Sequence, residues 1–279
     1  MTLRLLLLHS CFICARLPLS SLSDGTRIIS TWTRRPSTAE VPPINPFDAK
    51  ILHFLNQFAH RSWLFDHFIC FVDGNVLLKG GIITAFLWWA WFRRGDTKPR
   101  DREFVLSGIV MAIAALAVAR TLALFLPFRE RPLFTPQLNF RPPFGTDLID
   151  LIHWSSFPSD HAALYFCLAT TVFCVSRKIG LLAFAHALFV GCFSRIYLGA
   201  HYPTDILAGA AIGIGIGSLS LLPGLRHLIS RWPLRWLEAA PGSFYFCFYL
   251  TTLLIGTNFD SIRSAILLGF HALKSHILT

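Results

Sequence analysis

The sequence predicts an all-α fold, a polytopic bundle of about six transmembrane helices. Of the 279 residues, 54% are hydrophobic and only 14% are charged, whereas a soluble globular domain carries about 25% charged residues. Apolar runs of membrane-spanning length recur along the chain. The net charge is +10, and the basic residues cluster in short connections between these runs, which is typical of membrane proteins. We therefore expect membrane lipids, and not nucleic acid, as the surroundings and partners of the chain.

The N-terminal segment, residues 1–46, precedes the first predicted helix. Residues 1–20 carry Arg4 and an apolar core interrupted by His9, with no small-residue cleavage site. Residues 21–46 are rich in Ser, Thr and Pro and indicate a flexible linker. Two interpretations stay open: a signal anchor followed by a linker, or a start codon assigned too far upstream.

The membrane-embedded domain is predicted over residues 47–257. Its first stretch, 47–72, alternates apolar and polar residues at helical spacing, the pattern of a helix that lies in the membrane interface. Six spans are predicted to follow, at about 76–92, 104–127, 161–177, 180–199, 204–223 and 241–257. The role of residues 258–279 stays open, because Asp260 and Arg263 interrupt their apolar pattern.

Basic residues in three connections predict the orientation of the bundle. They lie in residues 93–103, 177–179 and 224–236, which fall on one side if the six spans alternate. By the positive-inside rule that side is cytoplasmic. The loop 128–160 and the turn 199–203 then lie on the opposite, non-cytoplasmic side.

The seven cysteines indicate neither a disulfide framework nor a zinc site. Four of them lie within apolar runs, where small buried thiols are common. Cys11 and Cys14 form one isolated C-x-x-C pair, with no second pair and no nearby histidine pattern. We therefore predict no metal and no cofactor.

Three polar clusters stand at the non-cytoplasmic ends of the predicted spans. They are Arg129-Glu130-Arg131-Pro132, the run Ser-Phe-Pro-Ser-Asp-His at 156–161, and residues 194–205. Charged and polar residues are costly near hydrocarbon, so each needs a structural or chemical reason to be there. Since all three lie at span ends, we expect helix packing to bring them together.

The first two clusters offer groups that bind phosphate. Pro158 is expected to start a helix, which would leave the N–H groups of 159–161 and the Ser159 hydroxyl free to bind an oxyanion. Arg131, with Arg195 of the third cluster, adds planar guanidinium groups that match phosphate oxygens.

Two histidines supply the reactive groups. Pro203 is expected to start a helix and to place Asp205 in its first turn, from where the carboxylate can orient His201 and stabilise its imidazolium form. His161 lies at the mouth of a different helix. Together these groups fit metal-free phosphoryl transfer through a nucleophilic histidine, with the second histidine as general acid.

The clusters resemble the signatures of the type 2 phosphatidic acid phosphatase family. Residues 194–205 match Ser-Arg-x5-His-x3-Asp at every defined position, and residues 158–161 match Pro-Ser-x-His. The first cluster matches only the Arg-Pro end of Lys-x6-Arg-Pro, since the lysine position is Leu124. The resemblance covers about 76–223, the family's helical core. The run ending in Asp160-His161 looks like the bacterial undecaprenyl-diphosphate phosphatase branch.

The resemblance implies a metal-free membrane phosphatase that hydrolyses lipid phosphates or diphosphates, with undecaprenyl diphosphate as one candidate. His201 would attack phosphorus and become phosphohistidine, with Asp205 orienting it. His161 would protonate the departing oxygen and then activate water. The non-bridging oxygens would be held by Arg131, Ser159, Arg195 and the backbone near Asp160. The bacterial branch implies a multi-pass protein of the inner membrane, with its site on the non-cytoplasmic side.

Leu124 leaves open which residue supplies the missing cation. Arg129, Arg120 and Lys79 are candidates, although packing or snorkelling explains Arg120 and Lys79 equally well. The hypothesis adopted here favours Arg129, because it needs no deep placement in the membrane. Asp160, beside His161, is expected to favour the protonated imidazole that a general acid needs.

Two alternative functions stay open beside hydrolysis. A lipid-linked phosphotransferase would use the same site with an acceptor other than water. A lipid-binding or transport protein with a decayed site is supported only by Leu124. The sequence does not determine the lipid tail, the preference for mono- or diphosphate, or the oligomeric state.

Overall fold

The computed structural model describes residues 44–148, 151–152 and 154–259, and every regular element in that part of the chain is helical. The all-α prediction is therefore confirmed. The interpretations of residues 1–43 and 260–279 concern residues outside the described ones. Ten α-helices follow one another in the described part: α1 Pro46–Asn56, α2 Trp63–Gly74, α3 Ile82–Phe92, α4 Lys98–Phe125, α5 Asp160–Val175, α6 Arg177–His186, α7 Phe193–Tyr197, α8 Pro203–Ser218, α9 Pro223–Ala239 and α10 Pro241–Gly256.

The predicted interface helix 47–72 is two helices, α1 and α2, separated by a turn. Each begins at a polar cap: the Asn45 side chain accepts from Phe47 N–H at 3.0 Å, and the Ser62 hydroxyl accepts from Phe65 N–H at 3.3 Å. His60, in the turn, has a φ of +66°, and its N–H donates to the Asp66 carboxylate at 3.0 Å. The amphipathic pattern is that of helices, but it does not reveal this break.

Three described helical stretches are long and apolar enough to cross a membrane: Lys98–Phe125, Arg177–Tyr197 and Pro203–Leu221. The stretch Trp63–Gly74 with Leu77–Phe92, bent by 63°, makes a fourth if it crosses as one broken span. Helices α5 and α10 are apolar but have 16 residues each, about 24 Å at the usual rise of roughly 1.5 Å per residue. An integral membrane protein is supported, but the predicted count of six spans is not confirmed.

The small residues of α8 let it pack directly against the backbone of α5. A Cβ atom on Gly209 would lie 2.3 Å from the Ser159 carbonyl oxygen, and one on Gly213 would lie 2.3 Å from that of Ala163. Only glycine permits so close an approach. The prediction that this small-residue run serves helix packing is confirmed. It matters for function because α5 and α8 each begin at one of the polar clusters.

Two of the basic connections lie at the end of the bundle away from these clusters. Arg93 donates to the carbonyl of Val175, at the C-terminus of α5, at 3.1 Å. Arg226 donates to Glu103, near the start of α4, at 3.2 Å. The segment 224–236, predicted as a connection, is most of the 17-residue helix α9. Its charged residues had suggested a loop, yet they alternate with apolar ones at helical spacing.

Candidate active site

Backbone hydrogen bonds join the three polar clusters into one site. Ser159 N–H donates to the carbonyl of Asp205 at 3.1 Å, and Ser156 N–H donates to that of Arg129 at 2.9 Å. Leu133 N–H donates to the carbonyl of Gly199 at 3.0 Å. Gly199 has a φ of +73°, and a Cβ there would lie 2.7 Å from the Phe140 ring, so the turn before His201 requires glycine. The predicted convergence of the clusters is confirmed.

His201 is buried, with 2% of its surface exposed. Its Nδ1 lies 2.9 Å from the carbonyl oxygen of Ser156, and its Nε2 lies 3.4 Å from Arg131 Nη1. A carbonyl can only accept, so Nδ1 carries the proton and Nε2 presents its lone pair. Burial, and then the charge of Arg131, lowers the pKa of His201 to about 4. The imidazole is therefore neutral at pH 7, as a nucleophile must be.

Asp205 lies in the first turn of α8, which begins at Pro203 as predicted. One carboxylate oxygen accepts from Tyr202 N–H at 2.8 Å and so caps the helix. The same oxygen is 3.7 Å from His201 Nδ1. That distance is too long for a hydrogen bond, so Ser156 fixes the tautomer while Asp205 contributes its charge. The sequence had suggested the carboxylate for both tasks.

Arg131 is held by backbone carbonyls rather than by carboxylates. It donates to Trp154 at 3.2 Å, to Ala200 at 2.6 Å and to Ser155 at 3.3 Å. Burial, and then the charge of Arg195, lowers its pKa to about 10, so it stays protonated at pH 7. Carbonyl partners fix the guanidinium without neutralising it, which leaves a positive charge beside His201 Nε2.

Arg195 belongs to a buried group of charges that the sequence did not reveal. It donates to Asp73 at 3.0 Å, and Ser194 donates to the other carboxylate oxygen at 3.0 Å. Lys79 Nζ lies 3.5 Å from the same carboxylate. Arg195 Nε is buried with no hydrogen-bond partner among the described residues. Two cations thus share the buried carboxylate of Asp73.

The N-terminus of α5 differs in detail from the prediction. The helix begins at Asp160 with Ser159 as its N-cap, and Pro158 precedes it in a cis peptide bond with Phe157. The Ser159 hydroxyl accepts from Ala162 N–H at 3.4 Å. Since serine is a preferred N-cap residue, it displaces proline as the start signal here. Ser159 therefore both caps the helix and lies fully buried beside the site.

His161, in the first turn of α5, is bound to its neighbour Asp160. Its Nδ1 lies 2.8 Å from Asp160 Oδ1, and the other carboxylate oxygen pairs with Arg120. The Arg120 guanidinium lies 5.8 Å from the centre of the Trp154 ring. Arg120 is thus engaged as the partner of Asp160.

Arg129 is paired with two buried carboxylates. Its Nη2 lies 2.7 Å from Asp48 Oδ2 and its Nη1 lies 2.5 Å from Asp205 Oδ1. Asp48, in α1, also accepts from Thr204 N–H at 2.9 Å. A guanidinium between two carboxylates carries no surplus charge for a phosphate. These contacts do not fit the role that we predicted for Arg129, and they make it a clamp between α1 and α8.

Leu124, at the position of the family lysine, is 59% exposed and so lies on the outside of the bundle. Of the three candidate replacements, Lys79 alone shares a carboxylate with a predicted phosphate ligand. It is buried, with 8% of its surface exposed.

Sequence reasoning missed three buried polar residues around the site. Asp48 and Asp73 contact its arginines, and Asn258 lies against His161. The two carboxylates carried a signal, because an acidic residue within an apolar helical pattern needs a partner. Asn258 carried none, since it follows α10 in a stretch with no distinctive pattern.

Comparison with known proteins finds one matching family and several similar proteins. The PAP2 superfamily matches residues 104–224. The chain is 27% identical over 170 residues to undecaprenyl-diphosphatase BcrC of Bacillus subtilis (strain 168), which covers 61% of this chain and 80% of that protein. It is 26% identical to lipid A 1-diphosphate synthase of Escherichia coli (strain K12), over 62% of this chain and 73% of the relative. The crystal structure of Aquifex aeolicus LpxE aligns with a TM-score of 0.42 and 26% identity, covering 62% of this chain and 93% of that one.

Proposed function

We propose that this chain, whose residues 104–224 match the PAP2 superfamily, is a membrane phosphatase that hydrolyses a lipid phosphate or diphosphate through a phosphohistidine at His201. The observation that carries the proposal is the environment of His201 Nε2. The other ring nitrogen is bound to a carbonyl at 2.9 Å, and a cation lies 3.4 Å from Nε2. A neutral nucleophile is thus aimed at a place where an anion is attracted.

In the first step the Nε2 lone pair of His201 attacks phosphorus, and the bond from phosphorus to the lipid oxygen breaks. His161 gives its proton to that oxygen. The phosphorylated ring keeps its Nδ1 proton and therefore gains positive charge, which the Asp205 carboxylate at 3.7 Å stabilises. In the second step His161 takes a proton from water, the water oxygen attacks phosphorus, and the bond to Nε2 breaks to release phosphate.

The phosphate pocket of the proposal consists of Arg131, Arg195, Ser159 and the backbone N–H of Asp160. Lys79 takes the place of the family lysine in it. Lys79 shares Asp73 with Arg195, whereas Arg129 is matched by two carboxylates. This assignment replaces the hypothesis that Arg129 supplies the missing cation.

The proposed site faces the non-cytoplasmic side of a bacterial inner membrane. Arg93 and Arg226 contact Val175 and Glu103, at the ends of α5 and α4 remote from the site. By the positive-inside rule that basic end is cytoplasmic. The lipid would enter sideways from the bilayer, with α1–α2 and the loop 128–157 flanking the entrance. Asn56 joins these two elements through hydrogen bonds with Arg141 at 2.7 and 2.9 Å.

A lipid diphosphate, with undecaprenyl diphosphate as the first compound to assay, is the proposed substrate. The name of the relative from Bacillus subtilis, an undecaprenyl-diphosphatase, supports it. A second candidate is transfer of the phosphoryl group to another lipid, which the name of the Escherichia coli relative, a lipid A 1-diphosphate synthase, favours. Both reactions begin with the same phosphohistidine and differ in the acceptor.

The test presents undecaprenyl diphosphate and a lipid monophosphate, each labelled in the terminal phosphate, to purified protein with EDTA present. Release of free phosphate by the wild type, abolished in His201→Ala, supports hydrolysis. Label that moves to an added acceptor lipid instead of to water supports the transferase. With a p-nitrophenyl phosphate substrate, His161→Ala is expected to accumulate acid-labile phosphohistidine, because that leaving group needs no proton. No release and no transfer from any lipid phosphate would overturn the proposal and leave a binding or transport protein.

A further inference from the structure

Asn258 lies in a turn that directly follows α10, outside the matched domain. Its side chain is buried, with 4% of the residue exposed. Asn258 and Phe259 have φ angles of +50° and +58°, in the left-handed region that asparagine adopts more readily than most residues. The turn is held by Asn258 N–H, which donates to Ile255 at 2.9 Å, and by Phe259 N–H, which donates to Leu254 at 2.9 Å.

The Asn258 amide lies over the face of the His161 ring. The amide nitrogen is 3.3 Å from Nε2 and 3.5 Å from Nδ1. A position in the ring plane at nearly equal distances from both nitrogens would overlap the carbon between them. The amide must therefore sit above the ring, in an N–H to π contact rather than an in-plane hydrogen bond. Such a contact does not occupy the hydrogen-bonding position of Nε2 in the ring plane, which the leaving oxygen would take.

The ring of His161 is fixed from three directions. Asp160 binds Nδ1 in the plane at 2.8 Å, Tyr165 packs edge-on with 5.9 Å between ring centres, and Asn258 covers one face. Without the amide, the ring could turn away from the line between Asp160 and the substrate. Proton transfer depends on that alignment, since a general acid must lie within hydrogen-bond reach of the atom it protonates.

The side-chain amide oxygen of Asn258, Oδ1, is buried with no hydrogen-bond partner among the described residues. The side-chain amide of asparagine has an NH2 group that donates and an oxygen that accepts. Rotation by 180° about the Cβ–Cγ bond exchanges their positions. An N–H above the ring favours neutral imidazole, because the ring face is electron-rich. A carbonyl oxygen there favours imidazolium. Rotation of the amide breaks no hydrogen bond of this oxygen in the described structure, so it costs little energy. His161 must be both imidazolium and neutral imidazole in one catalytic cycle.

Apart from His201, which gains positive charge when it is phosphorylated, the charged groups around His161 keep their charge during that exchange. Asp160 lies on the same helix as His161 and pairs with Arg120 of α4. From the remaining elements, the charges of Asp73, Lys79 and Arg195 act on the ring. Arg131 and His201, which contact each other, are the other titratable groups of the site. The Asn258 amide is neutral and can present either its N–H donor or its oxygen acceptor to the ring, whereas these charged groups cannot change their sign.

We propose that Asn258 is a positioning residue for His161, which holds the ring in line with the leaving oxygen and presents a donor or an acceptor as the ring loses or gains its proton. The inference rests on the proposed acid–base function of His161. It extends the functional unit beyond residues 104–224, to the end of α10.

The test uses full-length protein with Asn258→Gly, Asn258→Asp and the control Asn139→Gly. Glycine keeps the left-handed turn and removes the amide, and Asn139 is an exposed asparagine with a φ of +44°. We expect Asn258→Gly to lower kcat/KM for a lipid monophosphate, whose alkoxide needs a proton, by about 10- to 100-fold. For p-nitrophenyl phosphate the loss should be under roughly threefold. Asn258→Asp should restore part of the rate and move the basic limb of the pH profile to higher pH, and Asn139→Gly should change neither substrate.

A second measurement does not depend on activity. In protein labelled with 15N-histidine, Asn258→Gly should move the ring resonances of His161 and leave those of His201 in place. If the wild type releases no phosphate while the His161 resonances move, the proposed function fails and the contact stands. If the wild type is active, and both substrates are affected equally or the resonances stay unchanged, the role of Asn258 is overturned and the function stands.

Discussion

The carbonyl oxygen of Ser156 lies 2.9 Å from His201 Nδ1, whereas the nearest carboxylate oxygen of Asp205 is 3.7 Å away. A main-chain group therefore fixes the tautomer of the proposed nucleophile. The carboxylate acts on the charge that the ring gains when it is phosphorylated. The two tasks are separable by mutation.

The first prediction concerns Asp205→Asn. Because Ser156 still holds Nδ1–H, the variant keeps the reactive tautomer. We expect kcat to fall by about 10- to 100-fold, less than the roughly 10⁴-fold seen where a carboxylate alone sets the tautomer. Single-turnover formation of the phosphoenzyme measures the effect, with His201→Asn as the inactive control. Complete loss of the phosphoenzyme in Asp205→Asn would contradict the division of tasks.

The second prediction separates Arg129 from Lys79. Arg129→Met leaves the buried carboxylates of Asp48 and Asp205 without their cation, and we expect it to lower the free energy of unfolding by about 3–5 kcal/mol. Lys79→Met leaves Asp73 bound to Arg195 and Ser194. It should cost less stability but lower kcat/KM about 10-fold or more.

Unfolding curves and initial rates of both variants, recorded in the same detergent, measure these effects. The outcome that speaks against the assignment is a stably folded Arg129→Met with weakened phosphate binding, beside a Lys79→Met with wild-type kinetics.

The third prediction concerns the contact between α5 and α8. A Cβ on Gly213 would lie 2.3 Å from the Ala163 carbonyl oxygen, whereas one on Gly215 would meet nothing within 4 Å. Gly213→Ala should push the helices apart and lower both stability and activity. Gly215→Ala is the matched control and should gain up to about 1 kcal/mol from helix propensity. Equal effects of the two alanines on thermal unfolding would show that the helices are not held at this distance.

The fourth prediction concerns pH and follows from burial of His201. Its pKa is lowered to about 4, from an ordinary value of about 6.5. Between these values the unfolded chain binds a proton that the folded chain does not. The stability of the protein should therefore fall by about 3 kcal/mol as the pH drops from roughly 6.5 to 4. The free energy of unfolding of His201→Gln should lack this part of the decline. If the free energies of the two proteins change with pH in parallel, the contribution of His201 is excluded.

The fold class and the convergence of the three clusters could be predicted from sequence, because both depend on local patterns. Apolar runs predict helices, and Arg131, His161 and His201 lie in short motifs at their ends. Asp48 and Asn258 could not be assigned, since their partners lie 81 and 97 positions away. The carboxylate partners of Arg129 could not be predicted for the same reason: its charge is in the sequence, but Asp48 and Asp205 meet it only in the fold.

The paired contacts of Arg129 with Asp48 and Asp205 have an evolutionary consequence. A substitution at either position 48 or position 129 alone strands a buried charge, so the two should be inherited together. In an alignment of relatives, an aspartate at the first position and an arginine at the second should covary. A chimaera that takes α1 from a relative lacking this aspartate should work only when residue 129 comes from that relative too.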